Sequence, residues 1–144
     1  MIEKDNRPVN LNLLTISLPV IGLTSILHRL TGLAVFFSFP LVVWIFSISL
    51  KSEESFTLLA NLFADSVFMK LVFYLIFVVF TYHLVAGTKK LLSDFFGIGE
   101  TLQSGRILSW VVFGIALILS LVFALIIFWY AFKIRSWNKG IYCN

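Results

Sequence analysis

Three stretches of the chain, 30–50, 67–88 and 107–132, are almost uninterrupted hydrocarbon, the second with a single lysine near its start. A helix needs about 20 apolar residues to cross a bilayer core, so each stretch is long enough and the pattern predicts three transmembrane helices. Between them, "KSEESFTLLANLFADS" (51–66) is polar enough for an outside loop with a short amphipathic turn. "KKLLSDFFGIGETLQSGR" (89–106) carries Gly97, Gly99 and Gly105 as helix breakers. Both read as linkers within one domain.

The first span needs an internal boundary. Its apolar run begins near Leu11, and 11–50 as one helix would be about 60 Å long, roughly twice the hydrocarbon thickness. Pro19 supplies the break, because it cannot donate to the preceding turn and biases Leu18 away from helical geometry. The segment 1–19 is therefore expected at the cytoplasmic surface, with 11–19 lying on the membrane or against a partner. The spans are expected at about 20–50, 67–88 and 107–132, with a tail over 133–144. Pro40 falls inside the first span, where it predicts a kink. The expected fold is all-α: residues 1–144 as a single membrane-anchor domain.

Composition strengthens this reading and narrows the function. Of 144 residues, 60% are hydrophobic and 12% charged, against about a quarter charged in soluble domains, and mean hydropathy is +1.00. The net charge of +4 comes from Lys and Arg scattered at the ends of apolar runs, not from a basic block, which argues against nucleic-acid binding. Cys143 is the only cysteine, so an internal disulfide and a CxxC motif are excluded. "MIEKDNRPVN" leads into the apolar run without an A-x-A-like site, so a cleaved signal peptide is not expected. Six basic residues, Lys4, Arg7, Arg29, Lys89, Lys90 and Arg106, fall on the N-terminal side of the membrane; Lys51 and Lys70 fall on the other, with Lys133, Arg135 and Lys139 of the tail. Setting the tail aside, this bias predicts a cytoplasmic N-terminus.

Ionisable residues within or beside a span are costly and tend to be functional, and here they are His28, Arg29 and His83. Alternating topology brings them toward one membrane face: "SILHRLTG" opens the first helix where "YHLVAGTKK" closes the second, with His83 roughly 9 Å deeper than Lys89. Ser25, Arg29 and Gly32 follow i, i+4, i+7 and share a stripe, with His28 on its shoulder. A hydroxyl and a guanidinium facing one way suit a ligand carbonyl that becomes anionic on reduction, as in a quinone. The same residues would equally serve as a lipid anchor and a helix-packing hydroxyl. His83, with Gly87 a turn later leaving space for a flat group, has the character of an axial haem ligand; a hydrogen bond to a partner helix is the alternative. His28 lies at the membrane edge, a level above His83, so the two are not expected to flank one haem.

Ser47, Ser49, Ser109 and Ser120 read as packing hydroxyls, and Trp44, Trp110, Trp129 and Trp137 as interfacial anchors. Asp94 is expected in solvent. No protease, nucleophile-base or phosphate-loop motif occurs. A transporter is disfavoured because no acidic residue lies within a span and no inverted repeat is visible.

"RPVNLNL" (7–13), "SILHRLTG" (25–32) and "YHLVAGTKKLLSDF" (82–95), in this order on three spans, resemble the cytochrome b membrane-anchor subunits of bacterial succinate dehydrogenase, respiratory complex II. The resemblance covers almost the whole chain. It implies that His83 is the axial ligand to haem b, with the opposite ligand from a second small anchor subunit that shares the helical bundle. It implies that Ser25 and Arg29 belong to a ubiquinone site and that His28 and Arg29 lie near the haem propionates. It implies an iron-sulfur and a flavoprotein subunit as partners, the bacterial inner membrane as location, and a share in quinone reduction but not in succinate oxidation. Where the family pattern has G-x-R-H after the haem histidine, this chain has "GTKK", which keeps positive charge at Lys89 and Lys90 but loses a histidine. A structural anchor without cofactor is the competing expectation.

Overall fold

The computed structural model of the chain describes residues 19–141, with side chains described to Lys133. The expected surface segment before Pro19 and most of the basic tail's side chains lie outside the described residues. Four helices follow one another: α1 (Val20–Ser49), α2 (Glu53–Asp65), α3 (Val67–Phe96) and α4 (Leu102–Ile141). Three of them, α1, α3 and α4 up to Lys133, are long and apolar enough to cross a membrane.

The start of α1 at Val20 follows from Pro19, whose extended backbone (φ −64°, ψ 147°) ends the preceding segment while its carbonyl accepts from Leu23 at 3.1 Å. Pro40 stands inside α1, and the helix continues through it to Ser49. At 1.5 Å per residue the 30 residues of α1 are about 45 Å long, enough to span the hydrocarbon and both headgroup layers.

Two expected linkers are shorter than their polarity suggested. Within 51–66 lies α2, a helix of 13 residues instead of a loop with a turn. Ser52 caps it by accepting from the Ser55 amide at 3.1 Å, and Glu53 and Glu54 complement the positive end of its dipole. At its other end the half-buried Lys70 ammonium donates to the Ala64 carbonyl at 2.6 Å. Apolar Phe56, Leu59, Ala60 and Phe63 follow i, i+3, i+4, i+7, and Glu54, Thr57, Asn61 and Asp65 take another face. The linker 89–106 contracts to Gly97–Thr101, because α3 runs on to Phe96 and α4 begins at Leu102. Gly97 closes α3 in the left-handed region (φ 66°), with its amide on the Ser93 carbonyl at 3.0 Å. Gly105, expected to break structure, instead sits buried inside α4.

The helices run up, down and up. The last turns of α1 and the first of α3 border one cavity together with Tyr130 of α4; at the other end, Gly105 at the start of α4 meets Ile21 at the start of α1. One face of α4 is lined by small or β-branched residues, Gly105, Ser109, Val112, Ala116 and Ser120, all buried. Small residues let helices approach in a bilayer, where apolar burial gives no drive for association. Ser109 and Ser120 return their hydroxyls to carbonyls four residues back, at 2.8 and 2.7 Å, so their burial leaves nothing unsatisfied. The core joins Tyr82 and Ala86 of α3 to Val112 and Ala116 of α4, and Phe77 stacks on Phe123.

Most other large apolar side chains point outward, and the most apolar part of α1 has no buried residue at all. A monomer in water does not keep such a surface; lipid and other membrane helices do.

A side chain at Gly105 should disturb the α1–α4 approach directly. Its Cβ would lie 3.0 Å from the Gly99 carbonyl oxygen and 3.2 Å from Ile21 Cδ1. Gly105→Val is therefore expected to destabilise the folded chain by about 1–3 kcal/mol, read as a lowered midpoint in thermal unfolding of the detergent-solubilised protein.

Candidate functional site: the α1–α3 histidine pair

The two histidines meet where α1 and α3 touch. Their rings stack face to face, with centroids 4.4 Å apart and planes within 6°. His28 and His83 begin the same five-residue pattern, H-x-x-x-G, as "HRLTG" (28–32) and "HLVAG" (83–87). Because the helices are antiparallel, each histidine falls opposite the other's glycine. A Cβ on Gly32 would come within 2.9 Å of His83 Cε1, and one on Gly87 within 3.3 Å of His28 Nε2. The missing side chains are thus the notches that receive the rings.

This geometry revises the reading of Gly87. The space beside it, expected to stay open for a flat group next to His83, is taken by His28 of the same chain. The depth difference between the two histidines is also bridged by their side chains. At this stacking distance the two rings leave no room for a macrocycle between them.

His83 is held in one tautomer. Its Nδ1 lies 3.1 Å from the backbone carbonyl oxygen of His28, which can only accept, so Nδ1 carries the proton and Nε2 the lone pair. Thr31 Oγ1 stands 3.5 Å from the same Nδ1, and its hydroxyl reaches the Leu27 and His28 carbonyls at 2.7 and 3.0 Å. A carbonyl bond of this kind orients metal-bound imidazoles and raises their basicity. Nε2 of His83 has no hydrogen-bond partner among the described residues. Since no buried side-chain nitrogen or oxygen there lacks a partner, Nε2 is open to a group from outside this chain.

A second cross-link lies one residue earlier on α3. Tyr82 donates its hydroxyl to the Thr24 carbonyl at 3.2 Å in a buried contact, and Thr24 turns its own hydroxyl to the Val20 carbonyl at 2.9 Å. Interhelical hydrogen bonds in membranes average about 0.6 kcal/mol. This bond therefore fixes register more than it holds the helices together, and the close packing at Gly32 and Gly87 must carry the larger share.

Ser25 and Arg29 remain on the outside of α1, both exposed, one turn apart. Of the sequence stripe they formed with Gly32, only the glycine turns in against α3. Arg29 has no carboxylate partner among the described residues, whereas Lys90 at the same end of the bundle is paired with the exposed Asp94 at 2.7 Å. The structure therefore joins His28 and His83 in contact and leaves Ser25 and Arg29 on the adjoining open face. Tyr82 and Thr31 went unnoticed in the sequence as parts of the site. The repeated H-x-x-x-G was the available signal, and it gained meaning only once the helices were paired.

No group of three or more His, Cys, Asp or Glu side chains that could hold a bare ion occurs among the described residues. A single imidazole suffices where the iron's equatorial ligands belong to a macrocycle.

Comparison with known proteins gives the family. The family described as the succinate dehydrogenase/fumarate reductase transmembrane subunit matches residues 3–123. The chain is similar to the succinate dehydrogenase cytochrome b556 subunit of Coxiella burnetii, 33% identical over 112 residues that cover 78% of this chain and 89% of the relative. The subunits of the same name from Rickettsia felis and Rickettsia bellii are 29% and 34% identical, covering 82% and 74% of this chain and 90% and 81% of theirs. With the match covering α1, α2, α3 and the first part of α4, the chain belongs to the succinate dehydrogenase/fumarate reductase transmembrane subunit family.

Proposed function

We propose that this chain is a membrane subunit of a succinate dehydrogenase that holds one face of a haem b through His83 and contributes Ser25 and Arg29 to a ubiquinone site. The observation that carries the reading is the His83 tautomer: with Nδ1–H on the His28 carbonyl, the Nε2 lone pair is fixed, oriented and open to a ligand from outside the chain. When bound, haem would supply a one-electron carrier within the membrane. A further ligand to the haem would come from a second small anchor subunit, because the other described histidine is already stacked on His83.

The chain's own residues divide the remaining work. His28 fills the Gly87 notch and buttresses the ligand ring, while its carbonyl sets the proton on Nδ1. The Arg29 guanidinium, one residue along and without a carboxylate partner among the described residues, would serve haem propionates and the quinone head group as a cation. Ser25, a turn earlier on the exposed face, offers a hydroxyl to a quinone carbonyl. The rest of the quinone site belongs to the iron-sulfur subunit and the second anchor, and succinate is oxidised in the flavoprotein subunit, away from this chain. The bacterial inner membrane with a cytoplasmic N-terminus suits the cluster of Arg29, Lys89, Lys90 and Arg106 at the end of the bundle where α1 begins.

Three substitutions test these roles. His83→Leu is expected to weaken or abolish the b-type absorption spectrum of the purified complex; an unaltered spectrum would remove the ligand assignment. Arg29→Leu should lower quinone reduction by about tenfold or more, consistent with loss of a charged hydrogen bond of about 1.5–3 kcal/mol, while electron transfer from succinate to a soluble artificial acceptor stays near wild type. Equal loss of both activities would point to failed assembly. Gly32→Ala, which drives a Cβ against His83 Cε1, should displace the ring, with nitrogen NMR of the labelled imidazole reporting loss of the fixed Nδ1–H state.

A further inference from the structure

Thr31 stands one residue before the Gly32 notch on α1 and is half-buried. A threonine within a helix commonly returns its hydroxyl to a carbonyl three or four residues back, as Thr24 and Thr88 do here. Thr31 does so too, but its hydroxyl oxygen also lies 3.5 Å from Nδ1 of His83 on the facing helix. The notch makes this approach possible, because a Cβ at Gly32 would stand 3.4 Å from that nitrogen. His28 leaves the Nδ1 edge free for oxygen, since its ring stacks on the face of His83.

The protons can be assigned one by one. A hydroxyl has one proton to donate and lone pairs to offer. The Leu27 carbonyl at 2.7 Å is nearer to the Thr31 hydroxyl than the His28 carbonyl at 3.0 Å, and it takes that proton. The lone pairs of Thr31 Oγ1 remain for His83, whose Nδ1 carries a proton because the His28 carbonyl at 3.1 Å can only accept. Nδ1–H thus lies between two oxygens of α1 in a three-centre arrangement, the carbonyl near and the hydroxyl farther.

We infer that Thr31 is a positioning residue for His83: its hydroxyl oxygen, anchored on the Leu27 carbonyl, is a second acceptor for Nδ1–H and makes Nε2 a stronger electron donor than the His28 carbonyl alone would. The inference rests on the reading of His83 as a haem ligand. Negative partial charge beside Nδ1–H pushes electron density through the ring toward Nε2, and a more basic axial imidazole favours ferric over ferrous haem. The Thr31 hydroxyl therefore lowers the reduction potential. Its contact is longer than that of the carbonyl, so its share of the effect is the smaller one.

The test uses the complete membrane complex, titrated potentiometrically while the haem absorption is followed. Thr31→Val keeps the branched shape and removes the acceptor. It should shift the ratio of reduced to oxidised haem at a fixed potential about threefold toward reduced, a rise in midpoint of about 30 mV at 59 mV per tenfold for one electron. Thr31→Ser retains the hydroxyl and should restore the wild-type midpoint. In NMR of the reduced complex with labelled histidine, the His83 Nδ1 proton should move upfield in Thr31→Val and hold its place in Thr31→Ser, a pair of results that a packing role does not give. Thr31→Ala also removes the hydroxyl and adds no atoms, which keeps the test decisive if the valine variant fails to assemble. A midpoint unchanged or lowered in the variants lacking the hydroxyl, or a serine variant that behaves like them, would overturn the inference. Loss of the haem spectrum in His83→Leu alongside a wild-type midpoint in Thr31→Val would end this inference and leave the ligand assignment standing; an unaltered spectrum in His83→Leu would remove both.

Discussion

The close approach of α1 and α3 at two glycines is the contact on which the site depends. In a bilayer two apolar helices gain little by hiding from lipid, so they associate where their backbones can come near. Gly32 and Gly87 permit that, and each admits the imidazole of the opposite helix. The nearness brings the His28 carbonyl within 3.1 Å of His83 Nδ1. A chain of causes therefore runs from two missing Cβ atoms, through packing, to the proton position on one nitrogen and the lone pair on the other. Neither ring could be moved without disturbing both notches.

The fold assigns different tasks to its two ends. Where α1 begins, polar groups converge: the histidine pair, Arg29, Ser25, Lys89 and Lys90 near the end of α3 and Arg106 near the start of α4. Where α1 ends, α2 lies across the bundle and closes an apolar space beneath it. α4 is the longest helix and supplies a small-residue face that meets α1 at Gly105 and α3 at Val112 and Ala116. The wide apolar exterior of α1 suits lipid or other membrane helices.

Much of this was legible in the chain's pattern. The three spans, the start of α1 at Val20 and the placing of His28, Arg29 and His83 at one end of the bundle all follow from hydropathy, Pro19 and alternating topology. The two linkers are shorter than their polarity predicts, because polarity does not exclude helix. An interfacial helix needs only one apolar face, and α2 has Phe56, Leu59, Ala60 and Phe63 on one side with a serine cap at its start. Gly105 continues its helix because a glycine in a membrane helix can serve as a packing surface.

The sequence by itself determined that this chain crosses a membrane three times, and which few polar residues it carries into the apolar layer, because the cost of burying backbone and charge in hydrocarbon is local and readable from composition. It also carried, in three short motifs, the resemblance to the family. Which glycine each histidine would face was decided only by the tertiary structure. So were the stacking of the rings, the tautomer of His83, the outward turn of Ser25 and Arg29, and the cavity under α2. Those depend on the register and proximity of separate helices, and nothing in the spacing along one helix fixes how another will lie against it.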